Sequence, residues 1–270
     1  MFSPPDSAAG LKPFSITHVQ YARSDPLGKP LALTALFPIF IMVSYATLIA
    51  ARRDLYLASV CLGQLLGEVF NIALKRLIRQ PRPTTFLGNG YGMPSSHAQF
   101  MSYFATFVVL HLYLRSVSVQ LCFQPAHSMI RCTDAHANRT SYKNPLWKHM
   151  VTFGVIGVAG VVAFSRVYLH YHTTTQVLAG IQIGAILGLS WYIFTTRFLL
   201  PFLVDTCKVL EHPLSVQLCI RNTSDIGDLT LCEYEAIQRW ERDCALKDRG
   251  LAGTGVGKSA MDKASTKKSN

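Results

Sequence analysis

The sequence predicts an all-α integral membrane protein, a helical bundle of about five transmembrane helices with its active site at one membrane face. Three observations carry the membrane class. Half of the residues are hydrophobic and only 15% are charged, against roughly 25% charged in an average soluble chain. The apolar residues gather into blocks of nearly twenty, long enough to cross a bilayer core of about 30 Å at about 1.5 Å per residue. The charges are shut out of those blocks and sit in connectors and tails.

Residues 1–30 are rich in Pro and Ser and lack a basic start followed by an apolar run, so they read as a flexible arm and not as a cleavable signal peptide. The first span is residues 31–50. Arg52, Arg53 and Asp54 then form a tight polar turn, and 55–74 returns as the second span. So short a turn makes the two helices antiparallel neighbours. Residues 75–96 are a connector dense in polar groups, and the third span follows over 98–114 with no charge inside it. Residues 115–146 are polar and irregular. The fourth span needs 147–164, with Lys148 snorkelling at its edge. The fifth is 177–196, ended by Arg197; 198–204, interrupted by Pro201, either lies in the interface or lengthens that helix.

The chain thus divides into the arm, a membrane domain over 31–204 and a tail over 205–270. In the tail, Thr230-Leu-Cys-Glu233 is a capping-box pattern opening an apolar-spaced helix through Ile237 and Trp240. Beyond Gly250, Gly, Ser, Ala and Lys predict disorder.

Five spans put the termini on opposite sides. The 52–54 turn, the 115–146 loop and the tail share one face; the arm, the 75–96 connector and 165–176 share the other. The positive-inside rule makes the first face cytosolic and the second lumenal. The final Lys267-Lys268-Ser269-Asn270 resembles a dilysine retrieval signal of the endoplasmic reticulum, which is read on a cytosolic C-terminus. The sequons at Asn138 and Asn222 fall on that cytosolic side and should carry no glycan.

The net charge of +11 fits basic loops that anchor helices, except between Lys75 and Arg82. No nucleic-acid motif is present. Seven scattered cysteines without CxxC spacing form neither a disulfide framework nor a zinc site. A metal site built from His97, His170 and His172 lacks a carboxylate ligand. Against transport, the spans carry no ionisable group at mid-depth other than His111.

Three polar pieces fall on the lumenal side. The first is Lys75 at the end of the second helix, with Arg82 held extended between Pro81 and Pro83. Such cations are either phosphate clamps or ordinary interfacial charges, and for Arg76 and Arg79 the second reading is preferred. The second piece is Pro94-Ser95-Ser96-His97 ahead of the third helix. It is an anion site at a helix N-terminus, or a plain Ser cap beside a histidine. The third is Ser165-Arg166-x5-His172-x3-Gln176. His172 and Gln176 are one helical turn apart, so the amide oxygen can take one ring nitrogen and leave the other as a nucleophile. Two polar caps at a lipid boundary are the plainer alternative. Each piece is weak alone; three on one membrane face are not.

Together they resemble the signature of the type 2 phosphatidic acid phosphatase superfamily: Lys-x6-Arg-Pro, Pro-Ser-Gly-His, and Ser-Arg-x5-His-x3-Asp. The resemblance covers roughly 31–200. It implies His172 as a nucleophile forming a phosphohistidine, and His97 as the acid for the leaving oxygen and later the base for water. It also implies Lys75, Arg82, Ser95, Arg166 and the backbone near Ser96 as holders of the phosphoryl oxygens, with no metal or cofactor. Ser96 replaces the family's Gly, a mild change. Gln176 replaces its Asp. That pair of changes is similar to the branch acting on polyprenyl diphosphates such as dolichyl diphosphate, whose partners are that lipid and the bilayer. The alternatives are phosphatidate, a sphingoid-base phosphate or another prenyl diphosphate as substrate, or a protein that binds a lipid phosphate without turnover.

Overall fold

The computed structural model describes residues 11–14, 19–22, 25–84, 90–121, 146–224 and 233–245. Helix α1 (Gly28–Leu33) passes through a 3-10 turn at Thr34–Leu36 into α2 (Phe37–Arg52). Pro38 sits in the first turn of α2, where its missing N–H is not needed. Arg53 in the left-handed region, φ 51°, ends that helix. Asp54 then caps α3 (Leu55–Ile78) by accepting the Tyr56 N–H at 3.1 Å. Next come α4 (Ser96–Leu121), α5 (Leu146–Tyr168) and α6 (Thr174–Phe194).

Each helix of the expected bundle is present, with ends a few residues further out than the hydropathy blocks. Past Phe194 the chain stays helical through two π-turn stretches, Thr195–Leu199 and Phe202–Thr206. Pro201 cannot donate and crowds the preceding turn, so the hydrogen-bond ladder widens instead of stopping. Residues 198–204 therefore lengthen the helix.

Gly28–Arg52, Leu55–Ile78, Leu146–Tyr168 and Thr174–Thr206 are long and apolar enough to cross a membrane. Helix α4 is as long and carries His97, Gln99, Ser102 and His111. Its neighbours accommodate them. It packs against α2, α3, α5 and α6, and Gln99, Met101 and Tyr103 are buried. Glycines let α6 lie directly on it: a Cβ at Gly180 would stand 2.6 Å from the Ser95 carbonyl, and one at Gly184 would overlap that of Gln99.

Within the expected arm, β1 (Leu11–Phe14) pairs antiparallel with β2 (Val19–Ala22). Val19 packs with Ala32, Ala35, Leu169 and Tyr171. This hairpin is the one ladder in an otherwise helical set of described residues.

At the opposite end of the bundle the chain after α6 returns through α7 (Pro213–Gln217) to the α2–α3 turn. The Leu55 N–H donates to the Arg221 carbonyl at 2.9 Å, and the Arg221 N–H donates to that of Arg53 at 3.0 Å. The turn and the start of the tail thus share one end, as the span count requires. Residues 233–245 form a helix in a separate compact unit, with Arg239 and Glu235 paired at 3.2 Å. Thr230, Asn138, Cys122, Cys132, Cys232, most of the 115–146 loop and the dilysine-like end lie outside the described residues.

Candidate active site

Lys75 is delivered by the last turn of α3, and its Nζ donates to Ser96 Oγ at 3.3 Å. Arg79, φ 52°, stops the helix. The connector that follows is tied down on each side of Arg82. The Pro81 carbonyl accepts from Gln176 Nε2 at 2.9 Å, and Thr84 Oγ1 donates to the His170 carbonyl at 3.0 Å. The Gly92 N–H closes the loop on the Gln80 carbonyl at 2.7 Å. Arg82 is thereby fixed against α6 and the α5–α6 turn by bonds to its neighbours. Arg79 donates to the Arg76 carbonyl and stays exposed with it, away from this cluster.

The peptide before Pro94 is cis. Ser95 is fully buried; its N–H donates to the Gln176 carbonyl at 3.1 Å, and its Oγ has no partner among the described residues. His97, the second residue of α4, bonds the backbone of Ala35 and lies within electrostatic reach of Arg166, His172 and Lys75.

At the end of α5, Ser165 is fully buried and Arg166 is 2% exposed. Ser165 Oγ accepts from Thr34 Oγ1 at 2.8 Å and from Arg166 Nε at 3.2 Å, so the 3-10 turn ahead of α2 and the end of α5 together aim the guanidinium. The Arg166 carbonyl accepts the N–H groups of both Tyr171 and His172 at 3.1 Å. His170 takes the left-handed conformation, φ 57°, that this tight closure demands. Helix α5 runs to Tyr168, two residues past Arg166, and the turn places His172 beside the guanidinium's own backbone.

His172 and Gln176 meet as their spacing predicts: Nδ1 lies 3.2 Å from Oε1. Thr173 caps α6 in a capping box with Gln176. The amide's orientation is set by its other partners. Oε1 accepts the Thr173 N–H at 3.3 Å, and Nε2 donates to the Pro81 carbonyl. A flipped amide would face N–H with NH2 and C=O with oxygen. Oε1 can only accept, so Nδ1 of His172 must carry the proton, and in the neutral ring Nε2 keeps its lone pair. Gly92 is part of the lock, since a Cβ there would stand 2.6 Å from Oε1.

His172 is 4% exposed. Burial first, then the Arg82 charge, pushes its pKa down to about 4, while bonds to Gln176 and the Gly92 backbone pull the other way. The ring is neutral at physiological pH. Burial also lowers the pKa of Arg82.

All eight predicted residues, Lys75, Arg82, Ser95, Ser96, His97, Arg166, His172 and Gln176, converge at one end of the bundle. Three donors there, Ser95 Oγ, Arg82 Nε and Arg166 Nη2, are buried without a partner among the described residues. An unmet buried donor costs about 1–3 kcal/mol. Three in one place, with Lys75 beside them, are groups that an anion would satisfy.

Sequence reasoning missed part of the surroundings. Glu68 sits at mid-depth in α3 with Oε1 unpartnered among the described residues, within electrostatic reach of Lys75. The expectation that His111 stands alone is therefore corrected; a lone acid two turns before Lys75 was the available signal. Gln64, Asn71 and Gln99 are buried nearby, with Asn71 Nδ2 on Gln99 Oε1 at 2.8 Å. His111 itself pairs with the Tyr56 hydroxyl at 2.7 Å, toward the other end. No role was assigned to Tyr171, which stands directly before His172.

The family model of the PAP2 superfamily matches residues 55–199. Human dolichyldiphosphatase 1 is 36% identical over 84% of this chain and 88% of its own length. The Dictyostelium discoideum protein of that name is 35% identical over 81% and 86%, and dolichyldiphosphatase of Saccharomyces cerevisiae is 34% identical over 67% and 69%. No solved structure matches.

Proposed function

The chain belongs to the PAP2 superfamily, and from that premise we propose that it hydrolyses the terminal phosphate of a polyprenyl diphosphate, dolichyl diphosphate, to the monophosphate and inorganic phosphate. The observation that carries the reading is the locked His172–Gln176 pair beside three unmet buried donors. Nε2 of His172 attacks phosphorus in line with the bridging oxygen. Lys75, Arg82, Ser95, Arg166 and the Ser96 N–H bind the equatorial oxygens, whose charge is the main burden of phosphoryl transfer. His97 gives a proton to the departing lipid monophosphate, then takes one from water, which attacks the phosphohistidine and releases phosphate. His172 returns to the neutral form with its proton on Nδ1.

Gln176 orients the ring but, unlike a carboxylate, does not stabilise a cation on it. A diphosphate tolerates that. Its leaving group is a phosphate monoester, far less basic than an alkoxide, so a weaker nucleophile suffices. The relatives named dolichyldiphosphatase support the same substrate class. Such an activity would recycle the lipid carrier of protein N-glycosylation. The membrane domain over 31–204 and the tail over 205–270 are assigned as read from the sequence, while the arm carries the hairpin packed by Val19. The enzyme sits in the endoplasmic reticulum membrane, its site lumenal and its C-terminus cytosolic. The basic 52–53 turn sharing an end with Arg221 supports that orientation.

The test is phosphate release by the purified protein, in chelator, from polyprenyl diphosphate, polyprenyl monophosphate and phosphatidate. The diphosphate should be turned over at least tenfold faster than either alternative. Equal rates on phosphatidate would overturn the substrate assignment.

A further inference from the structure

Tyr171 is one of the unspecified residues of the third motif piece and the N-terminal hairpin lies outside all three, yet both converge on Arg166. The Tyr171 ring underlies the guanidinium, with Cζ 5.5 Å from the ring centroid. Tyr171 is 8% exposed, and its hydroxyl accepts the backbone N–H of Gln20 in β2 at 2.8 Å. The same arm is tied one turn earlier, where the Tyr168 hydroxyl donates to Asp25 Oδ1 at 3.2 Å. Asp25 Oδ1 in turn accepts the Leu27 N–H at 2.9 Å. Val19, Ala32, Ala35, Leu169 and Tyr171 close one apolar cluster between these bonds.

Among the described residues Arg166 has one side-chain anchor besides the ring, the Nε bond to Ser165 Oγ. A single bond at Nε leaves the guanidinium free to swing about it. A π face beneath the group removes that freedom while leaving Nη2 unsatisfied for a ligand. We propose that Tyr171, held by the N-terminal hairpin through Gln20, is a positioning residue that presents the Arg166 guanidinium to the phosphoryl group of the substrate. The arm ahead of the first membrane helix is then a working part of the active site. This rests on the reading of Arg166 as a phosphate ligand, and the test separates the two.

The probe is inorganic phosphate as competitive inhibitor of the full-length protein, read beside KM and kcat on polyprenyl diphosphate. Arg166→Ala should weaken phosphate inhibition at least tenfold; if it does not, the phosphate role of Arg166 fails and the proposal with it. Tyr171→Leu should raise the inhibition constant and KM about tenfold with a smaller change in kcat. Tyr171→Trp, which keeps a π face, should recover most of that loss. Tyr171→Phe and Gln20→Pro each delete one partner of the strap bond. Each should raise the inhibition constant about threefold, and the double variant no further, because both remove the same bond. A normal inhibition constant in Tyr171→Leu alongside a weakened Arg166→Ala overturns the proposal while leaving Arg166 as a ligand. Additive losses in the double variant overturn the strap, and they do so even if Tyr171→Leu does not fold.

Discussion

Asp54 at one end of the bundle and Ser95 at the other are both buried polar groups beside a helix start, and they are treated in opposite ways. Asp54 is 6% exposed with both oxygens in use: Oδ1 accepts from the N–H groups of Tyr56 and Thr223, and Oδ2 from the Thr223 hydroxyl. Around it, backbone groups of Arg53, Leu55 and Arg221 pair with one another. Ser95 is buried more completely, yet its Oγ is unmet among the described residues, as are Arg82 Nε and Arg166 Nη2. The first end spends its polar groups on holding chain segments together. The second leaves buried donors unpaired, at a cost to stability that phosphate would offset in the proposed mechanism.

Variants at the two ends should therefore fail differently. The largest effect belongs to His172→Ala, which should lower kcat by about 10⁴-fold or more, in the range seen when a nucleophile is removed. Phosphate release measures it, and thermal melting of the detergent-solubilised protein should barely move. Ser95→Ala removes a donor that bonds nothing in the free protein. It should cost about 10²-fold in kcat with an unchanged melting temperature; a clear loss of stability would mean that the hydroxyl is structural. Gln176→Ala frees the His172 tautomer and should slow single-turnover phosphorylation about tenfold or more, whereas a parental rate would remove its orienting role. Asp54→Ala should reverse the pattern, losing about 1–3 kcal/mol of stability with turnover of the folded fraction intact.

The acid limb of the pH profile sharpens the same contrast. In the proposed mechanism the neutral His172 ring is the nucleophile, so protonation would abolish attack. Because its folded pKa is depressed to about 4, the nucleophile should persist in free enzyme down to about pH 4–5, not fail near the usual 6.5 of histidine. Bound diphosphate adds negative charge and raises that pKa, so the limb in kcat should lie above the limb in kcat/KM. For stability the sign is the same: the neutral ring favours the folded state above about pH 6.5, and that contribution is lost as pH falls toward 4.

The site was largely legible in the sequence because its parts sit where apolar blocks end. Cations, serines and histidines at such boundaries have few structural duties, and their spacing alone placed His172 over Gln176. The tight 52–54 turn was legible for the same reason. Packing fixed what was not legible. Helix α4 packs against four neighbouring helices and so tolerates polar residues along its length. The hairpin strands are four residues each and one contains Pro13; their order comes from the cluster with Leu169 and Tyr171, which no local pattern announces. Glu68 is one acid in a long apolar block; its spacing from Lys75 could be read, but its unpartnered Oε1 among the described residues is a matter of packing.

The most direct test of the account is to identify the phosphorylated atom. A single turnover on polyprenyl diphosphate, quenched into alkali to preserve phosphohistidine, followed by fragmentation and ³¹P spectroscopy, locates the phosphoryl group. The locked Gln176 amide predicts phosphate on Nε2 of His172. Phosphate on Nδ1 of His172, or on His97, would contradict it.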